Sequence, residues 1–164
     1  MSRECLLSQA QAANLQREFG TPIFVYDQRE LERRGHAALA FPNPYGLTAR
    51  YAMKACPNAA LLKIFNRLGL HIDASSGFEV HRALSAGVPG DQIQLTAQQL
   101  PDDLEALMQK GVLFNACSLN QLQEFGRLSN GGHLSIRINP GLGSGHSNRT
   151  NVGGPSSSFG IWHE

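Results

Sequence analysis

The sequence predicts an α/β fold of the (β/α)-barrel kind, holding about five of a barrel's eight parallel strands, and three observations carry that prediction. Strand-like runs end near Lys54, Asp73, Thr96, Cys117 and Asn139, about twenty residues apart, and a helical pattern follows each of the first four. Such spacing is that of strand–helix–strand crossovers, which make neighbouring strands parallel. The strands also alternate. Leu70, Ile72 and Ala74 alternate with His71 and Asp73; Ile93 and Leu95 with Gln92, Gln94 and Thr96; Leu134, Ile136 and Ile138 with His133, Ser135, Arg137 and Asn139. Parallel strands of an open, doubly wound sheet are buried on both faces and read as nearly continuous apolar runs. A polar face on strand after strand points instead to a lumen lined with polar groups. Finally, 164 residues suffice for one domain with a real core, but a closed barrel takes about 250. The chain reads as the first part of a larger protein.

In chain order, Leu6 to Phe19 has helical spacing and stops at Gly20. Thr21-Pro22 breaks the chain, and Ile23 to Tyr26 reads as a short buried strand. Asp27 caps the next helix, with Glu30 three residues on completing a capping box, and that helix runs to about Ala40. The proline-rich stretch 41–46 is a rigid connector. A β-compatible run from Leu47 to Met53 then hands over at Lys54 to a helix opened by Pro57 and closed at Gly69. Ser76 and Glu79 box the second crossover helix, which ends before Gly87. Pro101 with Asp102 and Asp103 opens the third, and Lys110-Gly111 closes it. Ser118 and Gln121 box the fourth, which stops at Asn130-Gly131-Gly132. Phe159 to Glu164 reads as the start of another helix.

Composition narrows the function classes. Hydrophobic residues at 41% and charged residues at 16% describe a globular protein. A net charge of +1 without a basic run gives no footprint for nucleic acid or an anionic membrane surface, and no apolar run reaches the length of a membrane span. The residues after Met1 lack the organisation of a secretion signal. Cys5, Cys56 and Cys117 have neither disulfide nor zinc spacing. The expected setting is a reducing cytoplasm, the expected partner a small molecule.

Lys54 is the sharpest candidate for chemistry. It stands where a strand gives way to a helix, at the carboxyl end where α/β folds keep their sites. A lysine amine becomes nucleophilic when desolvation or a nearby cation depresses its pKa, and it then forms a Schiff base with a carbonyl compound. Inward placement above Ala52 is expected to supply part of that desolvation. A solvated surface lysine is the alternative. Asp73, on the same polar face, calls for a cationic partner such as Lys54 or a cofactor group if it is buried. Glu79 is a cap for its helix or a site residue. Arg137, between two isoleucines, is half of an ion pair or a contact for an anion or ring. Gly141-Leu142-Gly143-Ser144-Gly145-His146 follows a strand but lacks the third glycine of a dinucleotide fingerprint, and so reads as a loop at the barrel mouth. The histidines lack metal-ligand spacing, and no metal is expected.

Taken together, Tyr51-Ala52-Met53-Lys54-Ala55-Cys56-Pro57-Asn58, Asp73-Ala74-Ser75-Ser76-Gly77-Phe78-Glu79, Arg137-Ile138-Asn139-Pro140 and Ser157-Ser158-Phe159-Gly160-Ile161 resemble the fold type III pyridoxal-phosphate-dependent decarboxylases, from about Thr21 to the last residue. The likeness is greatest to the branch acting on meso-diaminopimelate. The resemblance implies that Lys54 carries pyridoxal 5'-phosphate as a Schiff base, and that Asp73, Arg137, Glu79 and His146 lie around the cofactor. It implies decarboxylation of meso-diaminopimelate to L-lysine, in lysine biosynthesis. Ornithine, lysine or a carboxylated polyamine stay open as substrates, because Val152 and Ser158 stand where the family has threonine and lysine; a catalytically silent cofactor-binding relative stays open too. It also implies a join near Tyr26-Asp27, with residues 1–27 packing on a C-terminal β-domain and 28–164 forming an incomplete barrel. The complete enzyme is expected to be a homodimer in which the partner subunit completes the substrate site. The 164-residue chain alone is expected to be inactive.

Overall fold

The computed structural model describes residues 6–129, 131–143 and 152–164. Six helices and seven short strands follow one another as α1 (Gln9–Phe19), α2 (Gln28–Leu39), β1 (Arg50–Ala52), α3 (Ala59–Leu68), β2 (His71–Ala74), α4 (Gly77–Ser85), β3 (Ile93–Leu95), α5 (Leu104–Gln109), β4 (Leu113–Ala116), α6 (Leu119–Leu128), β5 (Ser135–Ile136), β6 (Ile138–Asn139) and β7 (Ile161–Trp162). Strands β1 to β5 form one sheet in sequential order, every described pair parallel. Sequential parallel order with a helix in each of the first crossovers is the wall of a (β/α) barrel.

The crossovers share one ending. Gly69, Gly87 and Gly111 follow α3, α4 and α5 with positive φ. The amide of the next residue then reaches back five residues: Leu70 to Phe65 O at 3.1 Å, Val88 to Ala83 O at 3.1 Å and Val112 to Leu107 O at 3.2 Å. These are Schellman closures, and a left-handed glycine makes them without strain. The apolar residue after each glycine is buried and leads toward the next strand. Helix starts are equally local. Ser76 accepts from Glu79 N and Ser118 from Gln121 N, each at 3.2 Å.

The core lies between the outer face of the sheet and the helices. Ile72, Ala74, Ile93, Leu95, Phe114 and Ala116 are buried under Leu62, Val80, Ala83, Leu104, Leu107 and Phe125. Phe114 stacks on Phe125 with ring centres 6.0 Å apart, and Tyr51 packs on Phe65 at 4.5 Å. Gly35 lets α2 approach α3, since a Cβ there would stand 2.7 Å from Leu68 Cδ1.

Four expectations are corrected. Ile23 to Tyr26 is neither a strand nor buried; Phe24 is 91% exposed, because no described strand lies beside the segment to pair with it. The run Leu47–Met53 keeps only Arg50–Ala52 as strand, and Met53–Ala55 turn as a single 3-10 turn. The run through Arg137 divides in two. Arg137 gives its N–H to Ala116 O of β4 and takes the amide of Ile161 on its carbonyl, both at 2.8 Å, so the chain changes ladder partner at this residue. The segment Phe159–Glu164 supplies β7, parallel to β6, rather than a helix. No described helix covers β5 and β6, which leaves Ile136 and Ile138 about half exposed. Among the described residues no helix is long and apolar enough to cross a membrane.

Candidate active site

The inner, polar face of the sheet opens onto a cavity of about 880 Å³, lined among others by Lys54, Asp73, Ser75, Thr96, Arg137 and Phe159. Strand register explains the convergence. Ala52 pairs with Asp73 and Asp73 with Gln94, so these positions stand side by side, and the lining residues Lys54, Ser75 and Thr96 each follow two residues further on. Two residues beyond β1, Lys54 sits in the 3-10 turn next to the buried Met53.

Lys54 is exposed, not desolvated as expected. The strand ends before it, and the cavity is open above the turn. Asp73 does not pair with Lys54; its Oδ1 accepts a hydrogen bond from Thr96 Oγ1 at 2.9 Å, and Thr96 in turn accepts from Asn115 Nδ2 at 3.4 Å. A partly buried carboxylate with a hydroxyl donor needs no ion pair. Arg137 resolves toward a ring contact. Its guanidinium lies 4.5 Å from the centre of the Phe159 ring, and Nη2 donates to Val152 O at 3.1 Å. No carboxylate pairs with it among the described residues. Glu79 stands behind the cavity wall rather than on it. Its Oε2 accepts from Ser75 N at 2.7 Å, one residue before the helix cap, so it fixes the backbone of a lining residue. His146 lies outside the described residues.

Sequence reasoning missed several lining residues. Thr96 ends a strand in step with Lys54 and Asp73, and that repeat could have singled it out. The wall after β3, Gln98 to Asp103, carries no motif. Phe78, 89% exposed in the first turn of α4, also lines the cavity. At its rim His81 Nε2 meets Asp103 Oδ2 at 2.7 Å. Buried Cys117 follows β4; burial pushes its thiol pKa up, Arg137 opposes that rise and Asp73 adds to it. Cys56 is hydrogen-bonded to Tyr26, Oη to Sγ, at 3.3 Å, and this contact holds the tyrosine above its ordinary range.

Sequential parallel strands carrying an amine, a carboxylate and an unpaired guanidinium into one cavity define a (β/α)-barrel domain suited to a carbonyl cofactor with anionic groups. The family model described as pyridoxal-dependent decarboxylase, pyridoxal binding domain, matches residues 29–164. The chain belongs to that family, whose cofactor is pyridoxal phosphate. It is 41% identical over 152 residues to diaminopimelate decarboxylase of Streptomyces coelicolor, covering 90% of this chain and 33% of the relative. To the Escherichia coli K12 diaminopimelate decarboxylase it is 36% identical over 151 residues, covering 89% of this chain and 35% of that protein. A crystal structure of diaminopimelate decarboxylase superposes with a TM-score of 0.84 at 36% identity, over 99% of this chain and 38% of that one. The diaminopimelate decarboxylase of Helicobacter pylori, complexed with L-lysine, shares the fold at a TM-score of 0.81 and 22% identity, over 92% of this chain and 40% of that one. The chain thus spans about a third of the length of the curated relatives it matches.

The residues present fit the cofactor. Lys54 is the one lysine lining the cavity. Arg137 keeps guanidinium N–H groups beyond the one spent on Val152, and Asp73 keeps its second carboxylate oxygen beside the one held by Thr96.

Proposed function

We propose that this chain is the cofactor-binding part of an enzyme that removes the α-carboxylate of meso-diaminopimelate to give L-lysine. The observation that carries the reading is that Lys54, Asp73 and Arg137, from the turn after β1, from β2 and from the β5–β6 joint, line a single cavity. Relatives 36–41% identical and named diaminopimelate decarboxylase support the substrate.

Lys54 would hold the cofactor through its ε-amine, which must be unprotonated to bond a carbonyl carbon. When bound, pyridoxal phosphate supplies the conjugated electron sink that makes loss of a carboxylate feasible. Arg137, pinned on one side by Phe159 and the Val152 carbonyl, offers its remaining donors to an anionic group at a fixed angle. Asp73, steadied by Thr96, is placed to accept from a cationic N–H. Glu79 holds the Ser75 backbone at the edge of the same space. Lys54, Arg137, Asp73 and Glu79 thus bind and orient the cofactor.

Residues 1–27 are proposed as a segment that packs on a domain outside this sequence, and the full-length enzyme as a homodimer. Two facts support the boundary: α1 buries none of its residues, and the family match begins at residue 29. The test is release of carbon dioxide from meso-diaminopimelate by the full-length enzyme with pyridoxal phosphate, with Lys54→Ala as control. Lysine formation abolished by the substitution is expected. Cofactor uptake without turnover of any diamino acid would overturn the catalytic reading in favour of a silent binding relative.

A further inference from the structure

Two polar side chains are buried among the described residues, Gln121 at 2% exposure and Asn139 at 3%. The sequence reads Gln121 as the second member of a capping box on α6, but only the Ser118 half of that box forms, and the Gln121 side chain reaches elsewhere. Its Oε1 accepts from Cys117 N at 2.7 Å, ahead of the helix cap. Its Nε2 donates to Ala97 O and to Gln98 O, each at 2.8 Å. Both amide hydrogens and the oxygen are therefore spent.

The comparison with α4 isolates what is special. Glu79 occupies the same place in its own capping sequence and likewise accepts the amide ahead of the cap, but a carboxylate has no hydrogen to give. Gln121 does, and it gives both to the irregular stretch after β3, which forms one wall of the cavity. That stretch passes the constraint on. Gln98 Nε2 donates to Ser158 Oγ at 3.1 Å, and the next residue, Phe159, carries the guanidinium of Arg137 on its ring.

We propose that Gln121 is a positioning residue for the cofactor site: from within α6 it fixes the wall at Ala97 and Gln98 and, through Ser158 and Phe159, the angle of Arg137. Carbonyls in an irregular stretch depend on side-chain or solvent donors. A buried amide that satisfies two of them at once holds the wall in one position. The inference rests on reading the cavity as the pyridoxal phosphate site.

The experiment compares Gln121→Glu, Gln121→Met and Ser118→Ala in the full chain. The first keeps the acceptor for Cys117 N and loses both donors. The second loses all three bonds at similar volume. The third removes the α6 cap without touching the wall. Hydrogen exchange of 97–103 is expected to rise about tenfold in both Gln121 variants, the loss expected for one or two hydrogen bonds, and to stay unchanged in Ser118→Ala. Affinity for added pyridoxal phosphate should fall about tenfold in the same two variants, with Ser118→Ala within twofold of the parent. Equal exchange at 97–103 in all three variants would overturn the proposal, as would a cofactor affinity that Gln121→Glu leaves intact. A parent chain that takes up no cofactor would instead overturn the reading of the cavity, while the exchange comparison still decides whether Gln121 holds the wall.

Discussion

Helix α1 and the wall made by β2, β3 and β4 are both well specified locally, but only one is held from outside. α1 has a complete capping box, with Ser8 Oγ accepting from Gln11 N at 3.2 Å and Gln11 Oε1 from Ser8 N at 2.8 Å, and a glycine at its end. It nonetheless buries no side chain, and the stretch after it leaves Phe24 bare. Strands β2 to β4 are three or four residues long, yet each has a fully buried outer face under helices with weaker local ends: α4 and α6 have a serine cap without the reciprocal bond, and α5 has no side-chain cap. Caps decide where a helix begins; burial decides what it contributes. The candidate site stands on the second region.

The largest effect that sharpens this contrast is expected in the wall. Phe114→Ala removes a ring stacked on Phe125 at 2% exposure and should cost about 3–5 kcal/mol in chemical denaturation. A loss as small as that of an α1 substitution would break the distinction. Next come the thiols. Cys117 is buried and its pKa is raised, whereas Cys56 is partly exposed, so alkylation at mildly alkaline pH should label Cys56 about tenfold faster or more. Peptide mapping reads the ratio, and equal rates would mean that the end of β4 opens freely. Ser8→Ala should cost about 1 kcal/mol, confined to α1. Exchange would then rise over 9–19 and stay level in β2 to β4. The smallest effect is set by pH. The hydrogen bonds from Arg33 and Arg34 hold Glu30 at about 2, against an ordinary value of 4.5. A depressed folded-state pKa gives stability that is fully present above the unfolded value and lost as pH falls through about 2. The gap between the parent and Glu30→Gln should therefore be largest above about pH 5 and close in acid, and it should be small and salt-sensitive because the pair is exposed.

Much of the wall was legible because its signals are local. The glycines at 69, 87 and 111, the serine caps at 76 and 118 and the alternation in β2 and β3 each act within a few residues, and together they fix parallel order. The site was legible where strand spacing and alternation bring residues to one face, as with Asp73, which pairs with Ala52 two residues before Lys54. It was not legible where contacts cross many residues. Nothing in the sequence near Phe159 says that its ring lies under Arg137, or that Gln121 reaches Ala97. The misread segments have a shared cause. Ile23 to Tyr26 and the residues after Phe159 both have strand-like composition in short runs, and pairing decides their state: β6 lies beside the second, whereas no described strand pairs with the first.

The most direct measurement is to incubate the chain with pyridoxal phosphate, reduce with borohydride and map the modified peptide. The chain has three lysines, Lys54, Lys63 and Lys110, and only Lys54 lines the cavity with Asp73 and Arg137. Modification confined to Lys54, and absent from Lys54→Ala, is the predicted result. Label spread evenly over Lys54, Lys63 and Lys110 would contradict it.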